Sequence, residues 1–338
     1  MTKLKTNNVS KGNMARYIGI AAIVAILLSL PAWGGKYAVM MVMLMGIYIA
    51  LGQMWNLLAG YSGLISLGQQ MYIGVGAFTV AVTSNYLGLP LPLGLVCGGL
   101  VSMAIAIGLS YLLLRMKGMY FAIATWMFAE AMVLVFVSIQ FLGKGQGLFI
   151  TAARKLQAAD VYYYSIAILI ISTVVVVVLL RSKIGLGLFA IRDNDTAAET
   201  SGVPQFRSKL YCMMVSSFIT GVIGGVYYMS QVWIQPYAAF SISWTVAAVF
   251  IVVIGGIGTI TGPIIGGVIY VFLSQYLSTL SQIGSLSQVI LGVIAVAVIL
   301  LAPKGIVGTV QNRFGFEIIS VRRWMGKYTD RLPEPTEA

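Results

Sequence analysis

Histidine is absent from this chain and acid is scarce: nine Asp and Glu stand against 21 Lys and Arg in 338 residues. Without His the sequence lacks the usual general base, the commonest imidazole metal ligand and the physiological pH switch, which argues against zinc hydrolysis and against Ser-His or Cys-His catalysis. Ser-Lys or carboxylate chemistry stays open. Only two cysteines occur, Cys97 and Cys212, both inside apolar stretches where a small buried thiol is the simplest role, so neither reports a redox compartment. No catalytic residue and no metal site is expected.

Apolar side chains fill the space that charge leaves. Hydrophobic residues make up 59% of the sequence and charged ones 9%, and the mean hydropathy is +0.94, beyond the range of ordinary soluble domains. Apolar runs near the length of a bilayer crossing recur at Tyr17–Trp33, Tyr37–Ala59, Leu64–Leu87, Leu91–Leu114, Met119–Leu142, Val161–Leu180, Leu210–Val232, Ile242–Ile257, Thr261–Leu280 and Leu286–Ala302. The expected fold is therefore an all-α polytopic membrane protein of about ten transmembrane helices, some discontinuous and Gly-rich. The expected organisation is a cytoplasmic N-terminal tail at 1–16, a transmembrane domain at 17–303 with a cytoplasmic loop at 181–209, and a cytoplasmic tail at 304–338.

The formal charge of +12 reports orientation rather than nucleic-acid binding. With the N-terminus inside, every basic residue except Lys36, Lys144, Arg154 and Lys155 falls on the cytoplasmic side, as the positive-inside rule requires. The first run has the basic flank of a signal peptide, but Leu30-Pro31-Ala32 is a poor small-x-small cleavage site, and the run is expected to be retained.

Several spans depart from simple lipid-facing helix. Asn56 to Phe78 reads NLLAGYSGLISLGQQMYIGVGAF, with five glycines and the adjacent amides Gln69 and Gln70. Any one glycine is most simply explained by close helix packing. The cluster with its amides points instead to weakened helix lining protein or water, because hydrocarbon cannot satisfy freed backbone groups. A second interruption, IGGIGTITGPIIGG, runs from Ile254 to Gly267. There Gly255, Gly256, Gly258 and Gly262 loosen the chain, and Pro263 suits the first turn of the helix that follows. Paired interruptions point to a substrate route, with Gln69, Gln70, Gly74, Gly255 and Gly258 as candidate lining. Glu130 is the only acid placed within a span and joins them as a candidate, although a structural hydrogen bond or helix contact accounts for it more simply.

The long polar loop carries IRDNDTAAETSGVPQ. Thr196 and Glu199 stand at capping-box spacing, Asp193 and Asp195 favour the positive end of a helix dipole, Gly202 can end the helix and Pro204 discourages its continuation. A helix of about two turns is expected, too short to persist alone in water. It suggests a handle for a soluble partner.

These segments, from NLLAGYSGLISLGQ through FAIATWMFAEA and GLFAIRDNDTAAETSGV to SISWTVAAVFIVVIGGIGTITGP, resemble the permease subunits of ABC importers for branched-chain amino acids, the LivM type. The resemblance covers most of the chain and implies a role in the bacterial inner membrane beside a second related permease, two cytoplasmic ATPase subunits and an external solute-binding protein. It makes the loop a coupling element centred on Asp195, Ala197, Ala198, Glu199 and Gly202, although relatives often carry Glu where Asp195 stands. No G-x-x-x-x-G-K-[ST] pattern occurs, so ATP and Mg would be used by the partner ATPases, this chain binding no cofactor. Urea, short amides or another small organic solute remain alternative cargoes, and an ion-coupled carrier or a non-transport membrane scaffold or enzyme are alternative functions.

Overall fold

The computed structural model describes residues 24–279, 287–301 and 305–314. The start of the first expected span and most of both tails lie outside them. Helices follow one another as α1 (Val24–Trp33), α2 (Lys36–Asn56), α3 (Gln69–Asn85), α4 (Leu91–Leu113), α5 (Met119–Ser138), α6 (Ala158–Arg181), α7 (Lys183–Asp193) and α8 (Asp195–Thr200). After these come α9 (Gln205–Gln231), α10 (Pro236–Ala239), α11 (Ser243–Gly255), α12 (Gly262–Thr279), α13 (Ser287–Leu301) and α14 (Gly305–Phe314).

Six helical stretches among the described residues are long and apolar enough to cross a membrane: α2 with its extension to Tyr61, α4, α5, α6, α9 and α10–α11. The apolar helices α3, α12 and α13, of 17, 18 and 15 residues, occupy three more of the expected spans, and α1 the remaining one. Residues 305–314, assigned to a tail by composition, form α14, which packs on α11 and α12.

Helix α2 forms the axis of the bundle. From Gly46 to Asn56 every residue except Tyr48 is buried, and α6, α9, α11 and α12 surround it. Helices α3, α4 and α9 meet through glycines that let backbone approach backbone: a Cβ on Gly76 would strike Gly221, and one on Gly98 would lie 2.9 Å from the Gly76 carbonyl oxygen. Close packing is what small residues supply in lipid, where apolar surface alone gives no drive for helices to associate. Conversely, α5 turns Met119, Tyr120, Met127 and Leu134 outward, the apolar exterior a bilayer demands.

One end of the bundle is stitched by a two-residue ladder. β1 (Leu148–Phe149) runs antiparallel to β2 (Trp233–Ile234), with Leu148 opposite Ile234. Beside it, Asn85 at the end of α3 donates to the Phe149 carbonyl (2.6 Å) and accepts from the Thr151 amide (3.0 Å). Helix α6 starts with the Gln157 backbone amide donating to the Asp160 carboxylate (2.8 Å). The opposite end carries both helix interruptions and the long polar loop.

Candidate coupling and gating site

At Leu57 the α2 helix widens into a π-turn, Leu57–Tyr61. Gly63 follows with φ +72°, and the chain runs without regular helix to Gly68. Helix expected at Leu64 thus begins only at Gln69, because the turn widens and Gly63 takes a left-handed conformation. The freed backbone groups find side chains. Trp55 donates its indole N–H to the Ser66 carbonyl (2.8 Å), the Leu67 amide donates to the Thr125 hydroxyl (3.0 Å), and Leu64 N–H reaches back to Leu58 (2.9 Å). Such satisfaction is what non-helical backbone at membrane depth requires.

The second interruption is tighter. Helix α11 stops at Gly255, Gly256 and Gly258 take φ +124° and +76°, and α12 opens at Gly262 with Pro263 in its first turn. The Thr259 hydroxyl bridges the gap, donating to the Gly256 carbonyl (2.8 Å) and accepting from the Gly262 amide (3.0 Å). Gly255 and Gly262 are in backbone contact, leaving no room for a Cβ.

The two interruptions are joined to each other by amides from α2. Asn56 donates to the Thr259 carbonyl and accepts from the Gly258 amide, both at 2.9 Å. One turn earlier, Gln53 donates to the Ile260 carbonyl (2.8 Å). Both side chains are fully buried, and among the described residues Gln53 Oε1 has no partner.

Beneath them lies the polar loop, which folds as two helices rather than one. Ser182 caps α7, and Asn194 caps α8 by accepting from the Ala197 amide (3.1 Å). The capping box expected between Thr196 and Glu199 is not formed. Asn194 adopts the extended conformation of a cap, so the helix starts before Thr196 reaches that role. Gly202, at φ +80°, ends α8 as expected: its amide bonds to Glu199 (2.9 Å) and that of Val203 to Ala198 (3.0 Å), a Schellman closure. Lys209 on α9 then grips Asp195 at 2.8 and 3.1 Å. Gln205 donates to the Asp195 carbonyl as well. Asp195 and the buried Ala198 therefore hold α8 in place, while Ala197, Glu199 and Gly202 stay exposed. Beside them opens a cleft of about 570 Å³ lined by charges of both signs, including Lys117, Glu199, Arg207 and Lys209.

A helical membrane bundle with two buried breaks and a capped loop beneath them matches, over residues 37–299, the family model described as branched-chain amino acid transport system permease component. The chain belongs to that family. It is 26% identical over 317 residues to the high-affinity branched-chain amino acid transport system permease protein LivM of Salmonella typhimurium, covering 85% of this chain and 74% of that one. LivM of Escherichia coli is similar at 26%, covering 84% and 74%. A probable branched-chain amino acid transport permease protein LivH of Methanocaldococcus jannaschii is 32% identical over 136 residues, covering 38% and 42%. No solved structure matches the chain. It is a multi-pass ABC importer permease subunit, and its relatives are transport components, not enzymes.

Within this permease the candidate lining residues fall into separate groups. Gln69 and Gln70 open α3 fully buried, Gln69 between Ser216 (3.4 Å) and Thr220 (3.2 Å), and Gln70 accepting from Thr245 at the head of α11. An apolar cavity of about 350 Å³ adjoins that point, lined by Leu67, Thr245, Val246, Phe250, Tyr270 and Leu291. Gly74 makes room for the Phe240 ring. Gly255 and Gly258 sit together in the second break. Glu130 stands apart, exposed on α5 with its carboxylate accepting from the Trp126 indole (3.1 Å).

Sequence reasoning missed three residues. Asn56 and Gln53 look like isolated amides in an apolar run, and their partners lie more than 200 positions away. The third, Arg192, reads in sequence as one more inner positive charge. In the fold its guanidinium donates to the Gly60 carbonyl (3.0 Å), inside the first interruption.

Proposed function

We propose that the chain imports branched-chain amino acids across the bacterial inner membrane by alternating access, paired with a second, related permease. Two cytoplasmic ATPase subunits would hydrolyse ATP with Mg, and an external binding protein would deliver solute. In this reading both termini are cytoplasmic and the α7–α8 loop faces the ATPases. Movement of that loop shifts the permease pair between outward-open and inward-open states, while solute passes near the head of α3 and the two breaks.

The observation that carries this reading is the rigid presentation of α8. A six-residue helix would not survive alone, yet it is capped at both ends, pinned by Lys209 and leaves Ala197 and Glu199 exposed beside a charged cleft. A short helix fixed so firmly, with one face exposed, suits docking to a soluble machine. The helix starts at Gln69 and Ser243, joined through the bond from Thr245 to Gln70, suit a solute route.

The test of substrate class is competition. Proteoliposomes holding the complete importer should take up labelled leucine when ATP is on the loop side, and excess isoleucine or valine should suppress that uptake. Urea and short amides should leave it unchanged. Suppression by urea or an amide but not by isoleucine would overturn the amino-acid assignment while leaving the permease role intact.

A further inference from the structure

We infer that Arg192 is the positioning residue that hands movement of the coupling loop to both helix interruptions. It rests on the reading of α7–α8 as that loop. One guanidinium nitrogen, Nη1, donates to the Gly60 carbonyl at 3.0 Å. The opposite side of the same group, through Nε and Nη2, holds the Asp193 carboxylate at 3.1 Å in each case. Its plane lies 5.4 Å from the Phe189 ring, and Phe189 meets Tyr61 edge-on at 5.7 Å. A planar fork fastened on three sides transmits displacement in a way a flexible ammonium cannot.

Gly60 is where the loop, the first interruption and the second come into contact. A Cβ there would collide with the Asn56 side-chain oxygen and lie 2.7 Å from the Gly258 amide. A Cβ on Gly258 would lie 3.2 Å from Arg192 Nη1 and 3.3 Å from the Gly60 oxygen. From Gly60 the connection continues through Asn56 to Gly258 and Thr259, with Gln53 fixing Ile260 beside them. Gly60 packs against Asn56 and Gly258 too closely for a Cβ to fit between them, and the links on either side are part-buried hydrogen bonds, so a shift at the end of α7 is felt in both broken helices. Simple capping of an orphan carbonyl would explain the first bond alone. It would not explain why both interruptions close around one glycine beneath the guanidinium.

The experiment compares wild type, Arg192→Gln and Arg192→Lys in the assembled importer in lipid, measuring leucine uptake and ATP hydrolysis on the same preparations. In R192Q, uptake per ATP hydrolysed should fall about tenfold, the scale on which residues carrying coupling between sites act, with hydrolysis retained. R192K, which keeps the charge and one donor nitrogen, should recover part of the ratio. Spin labels at Ile65 and Ser201, both exposed, in a background with Cys97 and Cys212 changed to Ala, should give a narrow distance distribution in wild type and a broad one in R192Q. An unchanged uptake-to-hydrolysis ratio in R192Q overturns the inference, as does an unchanged distribution. If R192Q fails to assemble, R192K decides: a wild-type ratio overturns the inference and a reduced ratio supports it. Failure of the unmodified importer to show ATP-driven uptake overturns the functional reading instead, and the label distances still test the link on their own.

Discussion

Asn56 uses both ends of its amide on groups from another helix pair, the Gly258 N–H and the Thr259 carbonyl. Leu at this position would keep the volume but leave both part-buried backbone groups without their amide partner, at about 1 kcal/mol each, the low end for a lost partner. The Asn56→Leu protein is expected to unfold at a clearly lower temperature in lipid-like micelles than wild type, and a midpoint within a degree or so of wild type would contradict the bridging role. The sequence flagged the glycines around Asn56 because glycine clusters in apolar spans are unusual. It could not flag Asn56, since the need for an amide arises only when the second interruption folds against it. Arg192 was hidden for a different reason: positive charge on an inner loop already has an explanation in membrane topology. Glu130 shows the converse. An acid at membrane depth draws attention, but helical period alone does not tell which face it occupies, and the structure puts it outward beside Trp126.

At the scale of elements, α8 depends on local bonds more than on burial. Pro in place of Ala198 would remove the amide that bonds to the Asn194 carbonyl (3.0 Å) and press its ring on the preceding turn. In so short a helix the cost of about 3 kcal/mol assigned to an interior proline exceeds what its few bonds supply. Crosslinking of α8 to the ATPase and leucine uptake should both fall in Ala198→Pro, while the amount inserted in the membrane stays unchanged. Normal crosslinking with normal uptake would remove α8 from the coupling role. The existence of this helix was readable from Gly202, Pro204 and the run of small and polar residues before them. Its cap was not, because Thr196 and Asn194 both satisfy the pattern and only backbone conformation chooses between them. Helix α7 escaped notice altogether: Gly185 and Gly187 weaken its propensity, and burial of Leu188 and Ile191 holds it.

For the whole molecule, the bilayer made the spans legible, since length and apolarity are set by membrane thickness rather than by packing detail. What it left illegible was where helices stop partway, a matter settled by contacts between distant segments. Charge alone predicts the orientation: Lys117, Arg192, Arg207 and Lys209 gather near one end, and the β1–β2 ladder with Arg154 lies at the other. In intact cells, with Cys97 and Cys212 changed to Ala, an impermeant thiol reagent should label Lys155→Cys and spare Ser201→Cys. The reverse pattern would invert the topology.

The central claim is that work enters through the α7–α8 loop from ATP hydrolysed on another subunit. Uptake of labelled leucine by the reconstituted importer, followed with ATP, with ATP and vanadate, and with ATP after ion gradients are collapsed by ionophore, tests it most directly. The account predicts accumulation that vanadate abolishes and ionophore leaves intact. Accumulation that survives vanadate and disappears with the ion gradient would contradict it.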